Sequence, residues 1–248
     1  MRVLGIDTAT RSASVALIED EVLIDEQSCD KHLTDARGAD SIGHCAETLV
    51  PLVNSLLENR HLTPAELSAI AVSIGPGSFT GLRVGLATAK GIAYAGGLPL
   101  IGISTLLALA KTVKIFDGIV CSLLDARKND VYMGLFRRAG NVLSRLTDDA
   151  LLPINTAIEW MRSHLVETRS DLLCLVGDAG AAHREKLISA FDAKLILKSD
   201  HDSPSIAPQV ALLARERLLG ESLDDLGSVV PIYLRRPQAE MRKSHVNY

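Results

Sequence analysis

Aromatic residues and cysteines are scarce in this chain of 248 residues. Phe, Trp and Tyr make up only 4% of it, whereas hydrophobic residues make up 47%. An interior built from aliphatic side chains is typical of α/β proteins, whose buried strands are rich in Val, Ile and Leu. The four cysteines include no CxxC pair. They predict buried free thiols in a reducing, cytoplasmic compartment rather than disulfides.

The chain also lacks a net positive charge and a long unbroken apolar run. The net charge is −4 and the isoelectric point is about 6.0, which disfavours strong binding of nucleic acid by this chain alone, because phosphate contacts need a basic surface. Residues 91–110 carry no charge, but Gly96, Gly97, Pro99 and Gly102 interrupt them. We therefore expect no membrane span. Nor is a secretory leader expected, because a strand-like segment follows Arg2 directly.

What the sequence does contain is one pattern that occurs twice. Each time, a meander of apolar strands is followed by alternating helices and strands. The first occurrence predicts strands at 2–7, 12–18, 21–28, 67–75 and 98–103, with helices at 39–58, 79–95 and 104–111. Ser104 is the predicted cap of the last helix, and Thr63-Pro64-Ala65-Glu66 predicts a capping box at the start of a further short helix. The second predicts strands at 118–125, 131–138, 142–146, 172–176 and 194–197, with helices at 156–166, 181–191 and 206–219. This α/β organisation predicts two lobes, at 1–110 and 111–248.

The segment SIGPGSFTGLRVGLATAKGIAYA, residues 73–95, leaves a strand through three glycines and enters a helix capped by Ser78. This is the right place for a loop that cradles phosphates. However, the segment matches neither GxxxxGK[ST] nor GxGxxG, because its glycines at 75, 77 and 81 are spaced by two and four residues. The alternative is that the glycines allow close packing.

Small residues form a row along the helix predicted at 79–95. Gly81, Gly85, Ala89 and Ala93 follow one another at four-residue steps, and each glycine inside a helix costs about 1 kcal/mol relative to alanine. Such a row indicates that another backbone comes close along this face. That backbone belongs either to the same lobe or to a partner.

Four segments together resemble the TsaB (YeaZ) family: SIGPGSFTGLRVGLATAKGIA, LPLIGISTL, LLDARKNDVYMGLF and PIYLRRPQAE. The resemblance runs from the first strand to the end of the chain, and the GPGSFTGLR block is highly specific. It implies a two-lobed actin-like ATPase (ASKHA) fold of the ribonuclease-H type, with mixed central sheets. The predicted repeat of strand meanders agrees with that fold.

The resemblance also implies a scaffold role without catalytic residues. TsaB-like proteins dock on TsaD, the catalytic subunit that places threonylcarbamoyl on adenosine in tRNAs reading codons that begin with A. The ATPase TsaE joins them, and tRNA is reached through the complex. We expect a homodimer when the partner is absent. The predicted interface consists of Ile42, Cys45, Leu49, Leu52, Val53, Gly81, Gly85, Leu86, Ala89, Ala93 and Tyr94.

A metal site is not expected. In TsaD-like sequences, the resemblance implies that a PLIG segment continues into two metal-binding histidines on a helix. The matching positions here are Thr105 and Leu109. Leucine cannot ligate a metal, and a threonine hydroxyl does not replace an imidazole.

The superfamily implies a nucleotide cleft between the lobes, and here the cleft looks degenerate. Its first hairpin reads Asp7-Thr8-Ala9-Thr10, with alanine where glycine would let the backbone approach a phosphate. The second hairpin, from Asp125, also lacks glycine, whereas a later loop retains Gly177 and Gly180. Weak ATP or ADP binding at or near the TsaD interface is one hypothesis. The rival hypothesis is an independent ASKHA-type ATPase or small-molecule kinase.

Arg235 and Arg236, near the end of the chain, leave two interpretations open. They either contact tRNA phosphate or belong to a solvated, salt-bridged tail.

Overall fold

The computed structural model describes residues 1–30, 42–114, 116–170, 172–198 and 205–235. In these ranges the chain folds into two mixed β-sheets with helices on both sides of each. The strands of the first sheet are β1 (Arg2–Asp7), β2 (Ser12–Glu19), β3 (Val22–Asp30), β4 (Ala69–Gly75) and β5 (Leu100–Ser104). Their order is β3-β2-β1-β4-β5. The meander β1–β3 is antiparallel, and β4 and β5 continue the sheet in parallel with β1.

The second sheet repeats this arrangement. Its strands are β6 (Asp117–Asp125), β7 (Asp130–Ala139), β8 (Val142–Arg145), β9 (Ala150–Pro153), β10 (Leu173–Val176) and β11 (Leu195–Leu197). The order is β11-β10-β6-β7-β8, with antiparallel β6, β7 and β8 and parallel β6, β10 and β11. The predicted repeat of meander and α/β units is therefore confirmed. The pattern did not predict β9, which pairs with β7.

Helices form three layers around the two sheets. Outside the first sheet lie α1 (Ile42–Asn59) and α2 (Phe79–Gly96), and between the sheets lie α3 (Thr105–Lys111) and α7 (Ala207–Leu219). Outside the second sheet lie α4 (Ile154–Glu167), α5 (Ala179–Ala182) and α6 (Arg184–Phe191). The single helix predicted at 181–191 is divided at His183, where the backbone leaves the helical region at φ −118° and ψ 20°.

The predicted starts of α2 and α3 are confirmed by their side-chain caps, whereas the start predicted at residue 39 lies outside the described residues. The Ser78 hydroxyl accepts a hydrogen bond from the Gly81 amide, and the Ser104 hydroxyl accepts one from the Leu107 amide. Such contacts satisfy amides that have no partner within the helix. At the short 3-10 turn Pro64–Glu66, the Thr63 amide donates to the Glu66 carboxylate over 2.8 Å, as in a capping box.

The carboxyl-terminal part of the chain returns to the first lobe. Helix α7 packs on β1, β2, β4 and β5. The backbone of α7 lies so close to β1 that a Cβ added at Gly5 would be 2.3 Å from the Ala207 carbonyl oxygen. The predicted boundary, which assigns all of 111–248 to the second lobe, is therefore wrong for α7. The fold buries this helix against the first sheet because α3 packs mainly on β4 and β5 of the inner face, which leaves β1 and β2 to be covered by α7.

Candidate functional site

Four loops meet where parallel strands of both sheets end. They follow Asp7 of β1, Gly75 of β4, Asp125 of β6 and Val176 of β10. In open α/β sheets, ligands bind outside the carboxyl ends of the strands. The loops form the cleft between the lobes.

The first hairpin binds its own aspartate. Asp7 is completely buried, and its carboxylate accepts hydrogen bonds from the Ala9 amide at 3.0 Å and from the hydroxyls of Thr10 and Ser73. Ser73 belongs to the neighbouring strand β4. The carboxylate thus closes the β1–β2 turn and joins it to β4, which is a structural task.

The predicted small-residue row of α2 faces this hairpin. A Cβ at Gly81 would lie 1.9 Å from the Thr8 carbonyl oxygen, and one at Gly85 would lie 2.1 Å from the Thr8 hydroxyl oxygen. That hydroxyl donates to the Gly81 carbonyl over 2.7 Å. Ala89 and Ala93 are buried in the same lobe. The prediction that this row faces a partner is therefore corrected, because the backbone that comes close is the chain's own β1–β2 turn.

The other predicted interface residues differ in how exposed their side chains are. Leu49, Val53 and Leu86 are buried in the cluster between α1, α2 and the first sheet, and Leu52 packs partly against it. Tyr94 is 81% exposed. Ile42 and Cys45 belong to the first turns of α1, but their side chains lie outside the described residues. Of the described members, Tyr94 is the one that presents a large side chain to solvent.

A second row of small residues lies on the opposite, outward side of α2. Ala87, Gly91 and Ala95 are exposed at four-residue steps, and Tyr94 stands among them. Among the described residues, nothing lies within 4 Å of a Cβ built at Gly91. Arg83, one turn before this row, stacks on Phe79 with its guanidinium carbon 3.8 Å from the ring centroid. The row gives α2 a face that the described part of the chain leaves open and on which another backbone could pack closely.

The second hairpin joins the loop after β10 through Asp178. The Asp178 carboxylate accepts the Asp125 amide at 2.8 Å and pairs with Arg11 at 3.2 Å. Burial raises the pKa of Asp178, and the Asp125 amide and Arg11 oppose that shift. Because Arg11 follows the first hairpin, this ion pair connects the two lobes. The Asp125 side chain itself is exposed and accepts the Arg127 amide at 2.8 Å.

The two predicted glycines of the cleft differ. Gly177 has φ +116°, and a Cβ there would lie 2.3 Å from the Leu123 carbonyl oxygen, so packing on β6 requires a glycine. Gly180 has only a side-chain carbon of Leu197 near its Cβ position, at 4.0 Å. Three residues after Gly180, burial lowers the pKa of His183, and the positive charge of Lys186 lowers it further.

Thr105 and Leu109, the positions aligned with metal ligands in the resemblance, are both buried in α3 between the sheets. Within the described ranges, no group of three or more His, Cys, Asp or Glu side chains could hold a metal ion. The cleft as described therefore offers carboxylates and backbone groups but no clustered set of ligands.

In the structure the Asp125 amide and Arg11 meet at Asp178, which directly follows Gly177. The sequence interpretation named Asp125 and Gly177 but missed Arg11 and Asp178, which connect the lobes there. It also left Arg235 undecided, and this residue pairs with Asp130 at 2.7 Å. Within the sequence these partners lie more than 100 residues apart, so no local pattern marks them. The only available signal was the presence of charges near predicted hairpins.

A family model described as "TsaD: tRNA N6-adenosine threonylcarbamoyltransferase" matches residues 41–243. A Bacillus subtilis protein named tRNA threonylcarbamoyladenosine biosynthesis protein TsaB is 26% identical over 98% of this chain and 97% of its own length. This chain belongs to that family, in its TsaB (YeaZ) branch. The Escherichia coli TsaB is 35% identical over 57% of each chain, and the Haemophilus influenzae TsaB is 28% identical over 95% of this chain and 94% of its own length.

Solved structures agree with the TsaB-branch fold. YeaZ from Pseudomonas aeruginosa superposes with a TM-score of 0.70 at 21% identity, covering 94% of this chain and 99% of its own. The ethanolamine utilization protein EutJ from Carboxydothermus hydrogenoformans reaches 0.51 at 13% identity, covering 86% and 90%. These likenesses establish the actin-like α/β fold of the chain. Every helix among the described residues is too short or too polar to cross a bilayer.

Proposed function

We propose that this chain is a non-catalytic scaffold subunit in the biosynthesis of threonylcarbamoyladenosine on tRNA. In this role it binds and activates TsaD, the catalytic subunit, and TsaE joins the pair. The complex modifies tRNAs that read codons beginning with A, and the chain reaches tRNA through the complex. The relatives named TsaB support the pathway. The outward face of α2 carries the docking part of the proposal.

That face consists of Ala87, Gly91, Tyr94 and Ala95. Its members are exposed, whereas Gly85, Ala89 and Ala93 on the inward side of α2 are buried in their own lobe. An exposed tyrosine beside small residues gives a partner helix both an anchor and room for close approach. The first lobe already uses the inward row for its own packing, so a partner has this second row to bind.

The first hairpin supports the absence of catalysis. Asp7 would be the natural residue to act on a metal–phosphate group, but its carboxylate is buried and accepts hydrogen bonds from Ala9, Thr10 and Ser73 of its own lobe. A group that acts on a substrate must be able to reach it. In the described state Asp7 binds the hairpin instead.

Docking is tested by titrating TsaD with the variant Gly91→Trp. A large side chain at an open position should leave the fold intact and block helix–helix approach, weakening binding at least about thirtyfold, or 2 kcal/mol. Val166→Trp is the matched control, because Val166 is 78% exposed on α4 of the other lobe. Unchanged affinity of a folded Gly91→Trp protein would show that TsaD binds elsewhere.

The same face is proposed to self-associate when TsaD is absent. A two-fold contact between α2 helices would cover Tyr94 in both copies. Sedimentation velocity should find dimers of the native chain at high micromolar concentration and monomers of Gly91→Trp. A native chain that stays monomeric under these conditions would contradict an association through this face.

Nucleotide binding is proposed as weak and accessory, near the TsaD interface. The support is the convergence of both hairpins and the Gly177 loop around Asp178. Calorimetric titration with ATP and with ADP tests it, alone and with TsaD. The rival function, an independent ATPase or kinase, predicts ATP turnover by the isolated chain that falls on Asp125→Ala. Asp125 is the better target because its side chain is exposed, whereas Asp7 supports the fold.

A further inference from the structure

The segment 229–235 runs from the first lobe to the second. It begins in the first lobe, where Val229 is buried in the apolar cluster that includes Val72 and Leu100. The preceding turn is fixed as well, since the Asp224 carboxylate accepts the Gly102 amide at 2.8 Å. Val229 thus anchors the beginning of this segment in the first lobe.

The segment then attaches to the end of β4. The Ile232 amide donates to the Ile74 carbonyl over 2.7 Å. The contact is so close that a Cβ at Gly75 would lie 2.7 Å from the Ile232 carbonyl oxygen. This places the segment beside the strand that also supplies Ser73 to the Asp7 carboxylate.

One residue later, the segment binds the start of α2. The Arg83 Nε donates to the Tyr233 hydroxyl at 2.9 Å, and the rings of Tyr233 and Phe79 lie 4.9 Å apart. The arginine stacks on both rings. Arg–aromatic stacking of this kind is attractive because the cation faces the electron-rich ring.

The segment reaches the second lobe at Arg235. Its guanidinium donates to the Asp130 carboxylate over 2.7 Å, with both side chains about two-thirds or more buried. Asp130 begins β7, and its backbone closes the second hairpin by bonding to Ala126 and Arg127. The ion pair therefore acts on the hairpin that carries Asp125.

That hairpin is under backbone strain. Arg127, Lys128 and Asn129 adopt φ values of 65°, 58° and 63° in succession, a region that non-glycine residues rarely occupy. Such conformations persist only where the surroundings enforce them. One base of the hairpin is held by Asp178, which binds the Asp125 amide, and the other is held by Arg235.

We propose that residues 229–235 are a strap between the lobes, and that the Arg235–Asp130 ion pair is its latch. The strap is anchored to the first lobe by Val229, Ile232 and Tyr233. The latch holds the second hairpin in its strained form and keeps the two sides of the cleft together. Its release loosens the hairpin while the rest of the strap stays in place.

Hydrogen–deuterium exchange on the full chain tests the latch. In Arg235→Ala, amides of residues 125–131 should exchange about fivefold faster, as expected for loss of a partly buried, charge-assisted hydrogen bond. Amides of β1 and β4 should keep their native rates. In 1 M sodium chloride the native chain should approach the variant, because salt screens the pair. Equal hairpin exchange in the variant and the native chain would overturn the proposal.

Arg137→Ala is the matched control. Arg137 lies on the same strand as Asp130, and it pairs at 3.0 Å with Asp117 inside the second lobe. This variant should leave hairpin exchange unchanged, and an acceleration equal to that of Arg235→Ala would count against the strap. If Arg235→Ala accelerates exchange throughout the chain, the charge-reversed pair Arg235→Asp with Asp130→Arg decides. Restored hairpin protection supports the latch, and protection that stays lost refutes it.

Discussion

The inward and outward rows of α2 both consist of glycine and alanine, but their surroundings are opposite. Gly81 and Gly85 press against Thr8 of the first hairpin, with no room for a methyl group. Gly91, on the outward side, has nothing within 4 Å of its Cβ position. The helix thus uses small residues twice, once to pack on its own lobe and once on a face that nothing in the described chain covers. The four-residue spacing of small residues indicates that another backbone can come close to α2, but it does not identify which backbone does so.

The largest change in the free energy of unfolding should follow substitution of a glycine in the inward row by alanine. Gly81→Ala places a methyl group 1.9 Å from a backbone oxygen that cannot rotate away. We expect the free energy of unfolding to fall by about 3 kcal/mol, as for a severely overpacked site. Urea denaturation followed by circular dichroism measures it. A loss below about 1 kcal/mol would mean that the hairpin is not fixed against α2.

The partner of the inward row should show a smaller effect. Thr8→Val keeps the shape of the side chain but removes the hydroxyl that donates to Gly81. The expected loss is about 1.5 kcal/mol, because a part-buried hydrogen bond between the hairpin and α2 is removed. The same denaturation experiment tests it, with Thr80→Val on the exposed start of α2 as control.

The outward row should respond with the opposite sign. Gly91→Ala adds a methyl group in open space within a helix, so we expect a gain of about 1 kcal/mol in the free energy of unfolding. Thermal denaturation shows it as a raised midpoint. A destabilised Gly91→Ala protein would mean that α2 is covered on both sides.

The smallest change in stability should come from Tyr94→Ala. The side chain is 81% exposed, and surface substitutions of this kind usually alter the unfolding free energy by less than about 0.5 kcal/mol. If Tyr94 belongs to the docking face, the same variant should bind TsaD more weakly at unchanged stability. Comparing the two measurements separates recognition from folding.

Much of the fold could be predicted from local patterns. The starts of elements are marked by the alternation of apolar residues in strands, by the serines at 78 and 104 and by the capping box at Thr63. Each of these signals involves residues only a few positions apart in the sequence. β9 escaped because it has four residues and ends in proline. The break at His183 escaped because the surrounding residues all favour helix.

The cleft was harder to predict because its decisive contacts join distant parts of the chain. Asp125 and Gly177 could be placed by their position after strands. The hydrogen bond from Ser73 to Asp7 depends on where β4 lies beside β1. The ion pair of Arg11 depends on the position of the loop after β10, and that of Arg235 on the position of the final described segment. A residue's type indicates which partners it can take, but only the packed fold determines which one it meets.

The position of α7 has a consequence for how the chain folds while the ribosome synthesises it. Because this late helix covers the inner face of the first sheet, a nascent chain that has completed β5 still exposes Val3, Ala71 and Ile101 to water. Domains generally form as units while synthesis proceeds from the amino terminus. Here the amino-terminal lobe must wait for the ribosome to deliver residues 207–219 before its apolar interior closes.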